Sequence, residues 1–166
     1  MKKIILYSCL IFTFFACEND KNEFYQSIIK IEEGDIRGLT IGCDLLTVKA
    51  QEKDSFLIDQ MDDYLYYDYE INMGNSYTVS YDFSPQNTLY EIELTTYLDA
   101  TKDADQLFND FSTYFDTNYG KMKTAKDGFN TWINTKNELN KNIEFALINK
   151  SESYGIIVIK IRDLNN

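Results

Sequence analysis

The run Tyr64-Leu65-Tyr66-Tyr67-Asp68-Tyr69-Glu70-Ile71 decides how the chain folds, because its residues alternate in kind. Leu65, Tyr67, Tyr69 and Ile71 share one parity, while Tyr64, Tyr66, Asp68 and Glu70 share the other. Successive side chains of a strand point to opposite faces, so the pattern predicts a β-strand with one face on a core and one in water. The same period returns in Tyr77, Val79, Tyr81 and Phe83, alternating with Thr78, Ser80 and Asp82. It returns again in Tyr90, Ile92 and Leu94, alternating with Glu91, Glu93 and Thr95. Asn72-Met73-Gly74-Asn75 and Ser84-Pro85-Gln86-Asn87 separate these runs with turn-forming residues, so an antiparallel meander is the simplest connection.

Helices and further strands flank the meander. Leu107, Phe108, Phe111, Tyr114, Phe115 and Tyr119 recur at three- and four-residue spacing, which predicts a helix over Asp103 to Tyr119 that ends at Gly120 and packs on the sheet. Asp44 is a good N-cap for a short helix over Leu45 to Glu52. Ser27 to Glu32 reads as a short first strand and Gly34-Asp35-Ile36-Arg37-Gly38 as a turn. A strand near Phe129 to Ile133 precedes a closing hairpin, Ile143 to Ile148 and Tyr154 to Ile161, around Asn149-Lys150-Ser151-Glu152. Ile156-Ile157-Val158-Ile159 is apolar on both parities, as in a central strand covered on both faces. The expected fold class is therefore α+β, a single domain. Its antiparallel β-sheet has about five to six strands packed by two helices, in the order α-βββ-α-β-ββ.

The 166 residues suit one core, and 44% hydrophobic residues with 7 Gly and 1 Pro exclude collagen-like and low-complexity classes. With 0 His, the chain holds no Ser-His-Asp or Cys-His nucleophile, no His-ligated metal and no imidazole switch. No catalytic residue and no cofactor is expected.

The N-terminus reads as an address. Lys2 and Lys3 precede the twelve-residue apolar run Ile4 to Phe15, against the roughly 20 residues that a bilayer-spanning helix needs. Residues 1–16 are read as a signal peptide. The junction Phe14-Phe15-Ala16-Cys17 resembles the lipobox of bacterial lipoproteins, in which the cysteine is acylated and becomes the mature N-terminus. That resemblance implies lipidation at Cys17, and the alternative is an ordinary signal peptide with Cys17 unmodified. Residues 17–26 then form a lipid-anchored polar tether and 27–166 the domain. Cys9 would leave with the signal, so Cys43 stands alone without a disulfide partner and reads as a small buried hydrophobe rather than a nucleophile.

Cleavage would remove two basic residues and no acidic one, leaving 14 against 27 and a net charge of −13. A surface this negative repels nucleic acid and anionic lipid headgroups. It fits a well-hydrated surface, a cationic protein partner or a divalent cation.

The run Gly38-Leu39-Thr40-Ile41-Gly42 leads to a short helix carrying Val48. A Tyr-rich three-stranded meander follows, then a helix ending Tyr119-Gly120, a lone Trp132 and a closing hairpin. Together they resemble the α/β units of the β-lactamase-inhibitor-protein-like fold over about Ile36 to Leu164. The resemblance implies a protein-binding or inhibitory role on a sheet surface and carries over no catalytic residues.

Three constellations bear on chemistry. Glu91 and Glu93 lie on one strand face roughly 6 to 7 Å apart, inside the range of glycosidase carboxylate pairs, but their alternation with Tyr90 and Ile92 marks an ordinary wet face. Asp99, Asp103 and Asp105 offer oxygen donors at a helix entrance, yet they miss the calcium-hand spacing, and helix-terminus acids explain them, so no metal site is assigned. Tyr64 and Tyr66, beside Asp68 and Glu70, form the candidate binding face, because exposed tyrosines anchor protein interfaces.

The expected protein is a lipid-anchored, non-enzymatic protein-binding module of the bacterial envelope, with an inhibitor or immunity-type factor as one form. The alternatives are an accessory lipoprotein of an outer-membrane assembly or uptake complex, and a carboxylate-dependent hydrolase. Expected partners are the membrane, through lipid on Cys17, and a cationic protein. The expected location is the outer membrane, on its periplasmic or surface face.

Overall fold

The computed structural model describes residues 22–72, 74–125, 127–135 and 141–166. The expected signal peptide, Cys17 and the first half of the expected tether lie outside them. The three alternating runs form β2 (Tyr64–Asn72), β3 (Asn75–Phe83) and β4 (Leu89–Tyr97), paired antiparallel in sequence order. The registers Tyr67↔Val79 and Val79↔Leu94 keep the predicted parities together on one face.

The sheet then leaves sequence order. Its remaining strands are β1 (Leu57–Met61), β5 (Lys123–Thr124), β6 (Asn130–Asn134), β7 (Ile143–Asn149) and β8 (Ile157–Asp163). The spatial order is β1-β2-β3-β4-β8-β7-β6-β5, with β8 closing antiparallel on β4. The architecture is α+β in a single domain, with eight strands among the described residues rather than five or six. The unanticipated strands are the two edges, β1 and β5. An edge strand has one neighbour and needs no buried parity, so neither carries an alternation to read.

Among the described residues, three α-helices rather than two accompany the sheet. The expected strand at Ser27 to Glu32 does not form: its first three residues belong to α1 (Glu23–Ile29), which also takes in residues 23–26 of the expected tether, and Lys30 is the C-cap. Phe24, Tyr25, Ile28 and Ile29 are all buried, and pairs four residues apart make one helical stripe. Seven residues are too few to show that period against a strand's. Asn22 caps α1 by accepting the Phe24 N–H at 2.8 Å.

The other two helices match their signals. In α2 (Leu45–Gln51), the Asp44 carboxylate accepts the Thr47 N–H at 2.7 Å. The long α3 (Thr101–Tyr119) ends where Gly120 takes φ 87°, a conformation open to glycine.

Among the described residues, the hydrogen bonds and ring contacts that join these helices to strands fall on one sheet face. Asp116 of α3 accepts the Trp132 indole N–H at 2.8 Å, and Phe115 meets Phe145 with ring centroids 5.5 Å apart. Lys49 of α2 reaches Gln60 at 2.6 Å, on the parity of Leu65. Strand β8 is central, as expected, but only one of its faces carries helices. Val158 lies on the other face, opposite Thr95 and Ile148, and is buried there as well.

Candidate functional site: an open sheet face over a buried ion pair

The helix-free face collects the polar parity of each strand. Tyr64, Tyr66, Asp68 and Glu70 share it, opposite Asp82, Ser80, Thr78 and Ser76 of β3. The Tyr64 and Tyr66 rings lie 6.2 Å apart and 13° from parallel, both half-buried, while Asp68 and Glu70 are exposed. Two residues apart on a strand, these near-parallel rings bring aromatic carbon and hydroxyl groups to the same patch of the face. Strand β1 extends the face with Asp59 opposite Tyr66 and Met61 opposite Tyr64.

Charge is divided across this face. On β1 to β3 it carries Asp59, Asp68, Glu70 and Asp82 and no base. On β4, β7 and β8 two of the acids have basic partners, Glu93 with Lys160 at 2.5 Å and Glu144 with Arg162 at 2.6 Å. Burial pushes the Asp82 carboxyl above its ordinary value, and the charges of Glu91, Asp63 and Glu93 push it further. Burial likewise raises the Tyr64 phenol, with Tyr66, Asp59 and Asp82 adding to it. Both shifts express crowded negative charge that has lost part of its water. A small cavity of about 140 Å³ lies on the other half of the face, among Phe129, Thr131, Glu144, Lys160 and Arg162.

Glu91 and Glu93 sit on the open face, where Glu93 pairs with Lys160 and Glu91 stands opposite Asp82 and Arg162. The Asp82 and Glu91 carboxyls lie on the sheet surface rather than in a cleft. Asp105 accepts an Asn149 side-chain N–H at 2.8 Å, and among the described residues no three acids or cysteines gather as a cation site. Trp132 fills the core at 1% exposure, and Cys43 is a free, half-buried thiol pushed up by burial.

Beneath the acidic half lies a cluster that sequence reasoning missed. Ile36 and Leu39 bridge across a two-residue turn in which Arg37 (φ 57°) and Gly38 (φ 76°) are both left-handed. The turn drives the Arg37 guanidinium inward, where it is fully buried. It donates to both Glu52 oxygens at 2.8 and 2.9 Å, to the Ile28 carbonyl at 2.7 Å and to the Tyr77 hydroxyl at 3.0 Å. Tyr69, Tyr81 and Lys30 also donate to the Glu52 carboxylate. The guanidinium carbon lies 5.0 and 5.1 Å from the Tyr69 and Tyr77 ring centres.

Burial works to raise the Glu52 carboxyl, but the hydrogen bonds and charges of Arg37 and Lys30 and the Tyr69 hydroxyl outweigh it, bringing it to about 2. Burial pushes the Tyr69 phenol up, and its hydrogen bond to Glu52 pushes it further. The signal for this cluster was present in the buried parity. Tyr69, Tyr77 and Tyr81 each carry a hydroxyl into the core, and buried hydroxyls require partners.

Comparison of the chain with protein-family models, with curated proteins and with solved structures finds no match.

Proposed function

We propose that this chain is a lipid-anchored, non-enzymatic protein-binding module of the bacterial envelope whose open sheet face holds a cationic protein partner. The observation that carries the reading is the stacked Tyr64–Tyr66 pair on a face bare of helices, ringed by Asp59, Asp68, Glu70 and Asp82. Tyrosine supplies large contact area at low conformational cost, and unpaired acids steer a basic partner and set its orientation. Below the face, the Arg37–Glu52 cluster holds Tyr69, Tyr77 and Tyr81 in place, so β2 and β3 offer a rigid platform. Rigid platforms lose less entropy on binding. The address rests on the basic n-region, the short apolar run and Cys17, with the outer membrane as its destination. An inhibitor or immunity-type factor is the form of binding that a strongly acidic face best supports.

The test is crosslinking in whole cells followed by affinity capture, comparing the native chain with Tyr64→Ala/Tyr66→Ala. The expected result is one stoichiometric partner that the double variant loses and that added salt releases. No partner in either sample sinks the reading. Metabolic labelling with a fatty-acid analogue tests the anchor, with incorporation lost in Cys17→Ser.

A further inference from the structure

The two ends of the sheet are treated differently. Strand β5 is two residues long, and one of them is Lys123. Short, charged edges resist pairing with other chains. Strand β1 has five residues without lysine, arginine or proline, and four of the five are exposed. Ile58 and Met61 are 64% and 60% exposed, large apolar side chains on an edge whose one charged residue is Asp59.

The backbone of β1 is ready to accept a strand. Its register against β2 shifts between Leu57 and Asp59, so Ile58 is the extra residue of a bulge, and pairing resumes over Asp59, Gln60 and Met61. The Gln60 N–H donates to the Asp59 carboxylate at 2.8 Å. It is turned to the outer side, where a neighbouring strand's carbonyl would sit. Among the described residues, no backbone hydrogen bond outside the β1–β2 pairing reaches Ile58 to Met61.

Charge selects what comes to this edge. Asp54, Asp59, Asp62 and Asp63 lie in β1 or flank it, and Asp68 and Glu70 follow on β2. Of the two nearby bases, Lys49 is engaged with Gln60 and Lys53 precedes Asp54 at the start of the segment, against the four aspartates. A second copy would bring its own Asp59, Asp62 and Asp63 against these acids, on a chain of net charge −11. Like charges brought face to face oppose such pairing.

We propose that β1 is the docking edge for the partner, which adds an extended segment bearing lysine or arginine alongside Asp59–Met61 and covers Ile58 and Met61. This deepens the binding reading above and rests on it. Main-chain hydrogen bonds supply affinity in such strand addition, and alternate side chains supply specificity. A basic side chain of the added strand draws the Asp59 carboxylate away and frees the Gln60 N–H for a backbone carbonyl.

The experiment places a photo-crosslinking benzophenone side chain at position 58 of the full chain in whole cells. The exposed Tyr154 serves as the control position, and the crosslinked peptide is sequenced. The expected product is one segment of one partner, rich in lysine or arginine, reached from position 58 and not from 154. In parallel, Gln60→Pro removes an outward N–H that the β1–β2 ladder does not use, a place where an edge strand tolerates proline. This variant should keep its far-UV circular dichroism and lose partner capture by about tenfold or more. A crosslink to a second copy of this chain, or to an acidic segment, overturns the proposal. So does a folded Gln60→Pro variant that captures the partner as well as the native chain. If position 58 yields nothing while capture still depends on Tyr64 and Tyr66, the edge proposal falls and the face reading stands. Loss of all capture removes both.

Discussion

Glu52 has a fully buried carboxylate that stays ionised because five donor groups converge on it, from Arg37, Lys30, Tyr69 and Tyr81. Glu52→Gln leaves the buried Arg37 charge without its counterion and is expected to cost about 3 to 5 kcal/mol in urea unfolding. Adding Arg37→Met to that variant should recover part of the loss, because the fully buried guanidinium is then gone and the Lys30 ammonium, 24% exposed, can turn to water. The pH dependence follows in sign. The ordinary carboxyl value of 4.5 falls to about 2 in the fold. The contribution is therefore complete above about pH 4.5 and is lost as pH falls toward 2. Tm measured from pH 6 to pH 2 should drop through that window, and Glu52→Gln should flatten the drop. Asp44 and Gly120 were legible at this scale because a cap acts within four residues. Arg37 was not, since its partners lie 9, 15 and 40 residues away.

Helix α1 shows how an element escapes a sequence reading. Tyr25 is fully buried, with its ring centre 4.9 Å from Phe111 and 6.3 Å from Tyr114 of α3, and the Asn22 N–H reaches Asp110 at 3.2 Å. The helix therefore belongs to the core, although its seven residues would not hold together alone. Tyr25→Ala is expected to destabilise the domain by about 3 kcal/mol or more, as large aromatic truncations do, read by chemical denaturation. A chain that begins after Ile29 should fail to fold. Were this segment a loose tether, neither change would alter the unfolding midpoint. The meander strands were legible because nine residues each allow four cycles of alternation, and the edge strand β1 was not because it buries no parity.

Across the whole molecule, one apolar cluster runs from Ile28 and Val48 under β2 to Phe115, Trp132 and Phe145 at the far end. The lone Trp132 sits at the α3 end of it and the Arg37 cluster at the other. A continuous core predicts one cooperative transition. Trp132 fluorescence and far-UV circular dichroism should unfold at coincident denaturant concentrations. Separate midpoints would mean that the two halves of the sheet melt independently. Placing all three helices on one face also leaves the acidic and tyrosine-bearing face uncovered, which makes the molecule a one-sided platform.

The sequence by itself determined the α+β class, the meander and its parities, α2, α3 and the shared face of Tyr64, Tyr66, Asp68 and Glu70. These are local quantities, set by periods of two and 3.6 and by capping within a few residues. Tertiary structure alone decided the insertion of β8 beside β4, the helical state of residues 23–29, the exposed β1 edge and the burial of Arg37 against Glu52. Each of these depends on which distant surfaces meet. A neighbour brought by the fold, rather than one adjacent in the chain, sets whether an apolar pair is helix or strand and whether a charge is wet or paired.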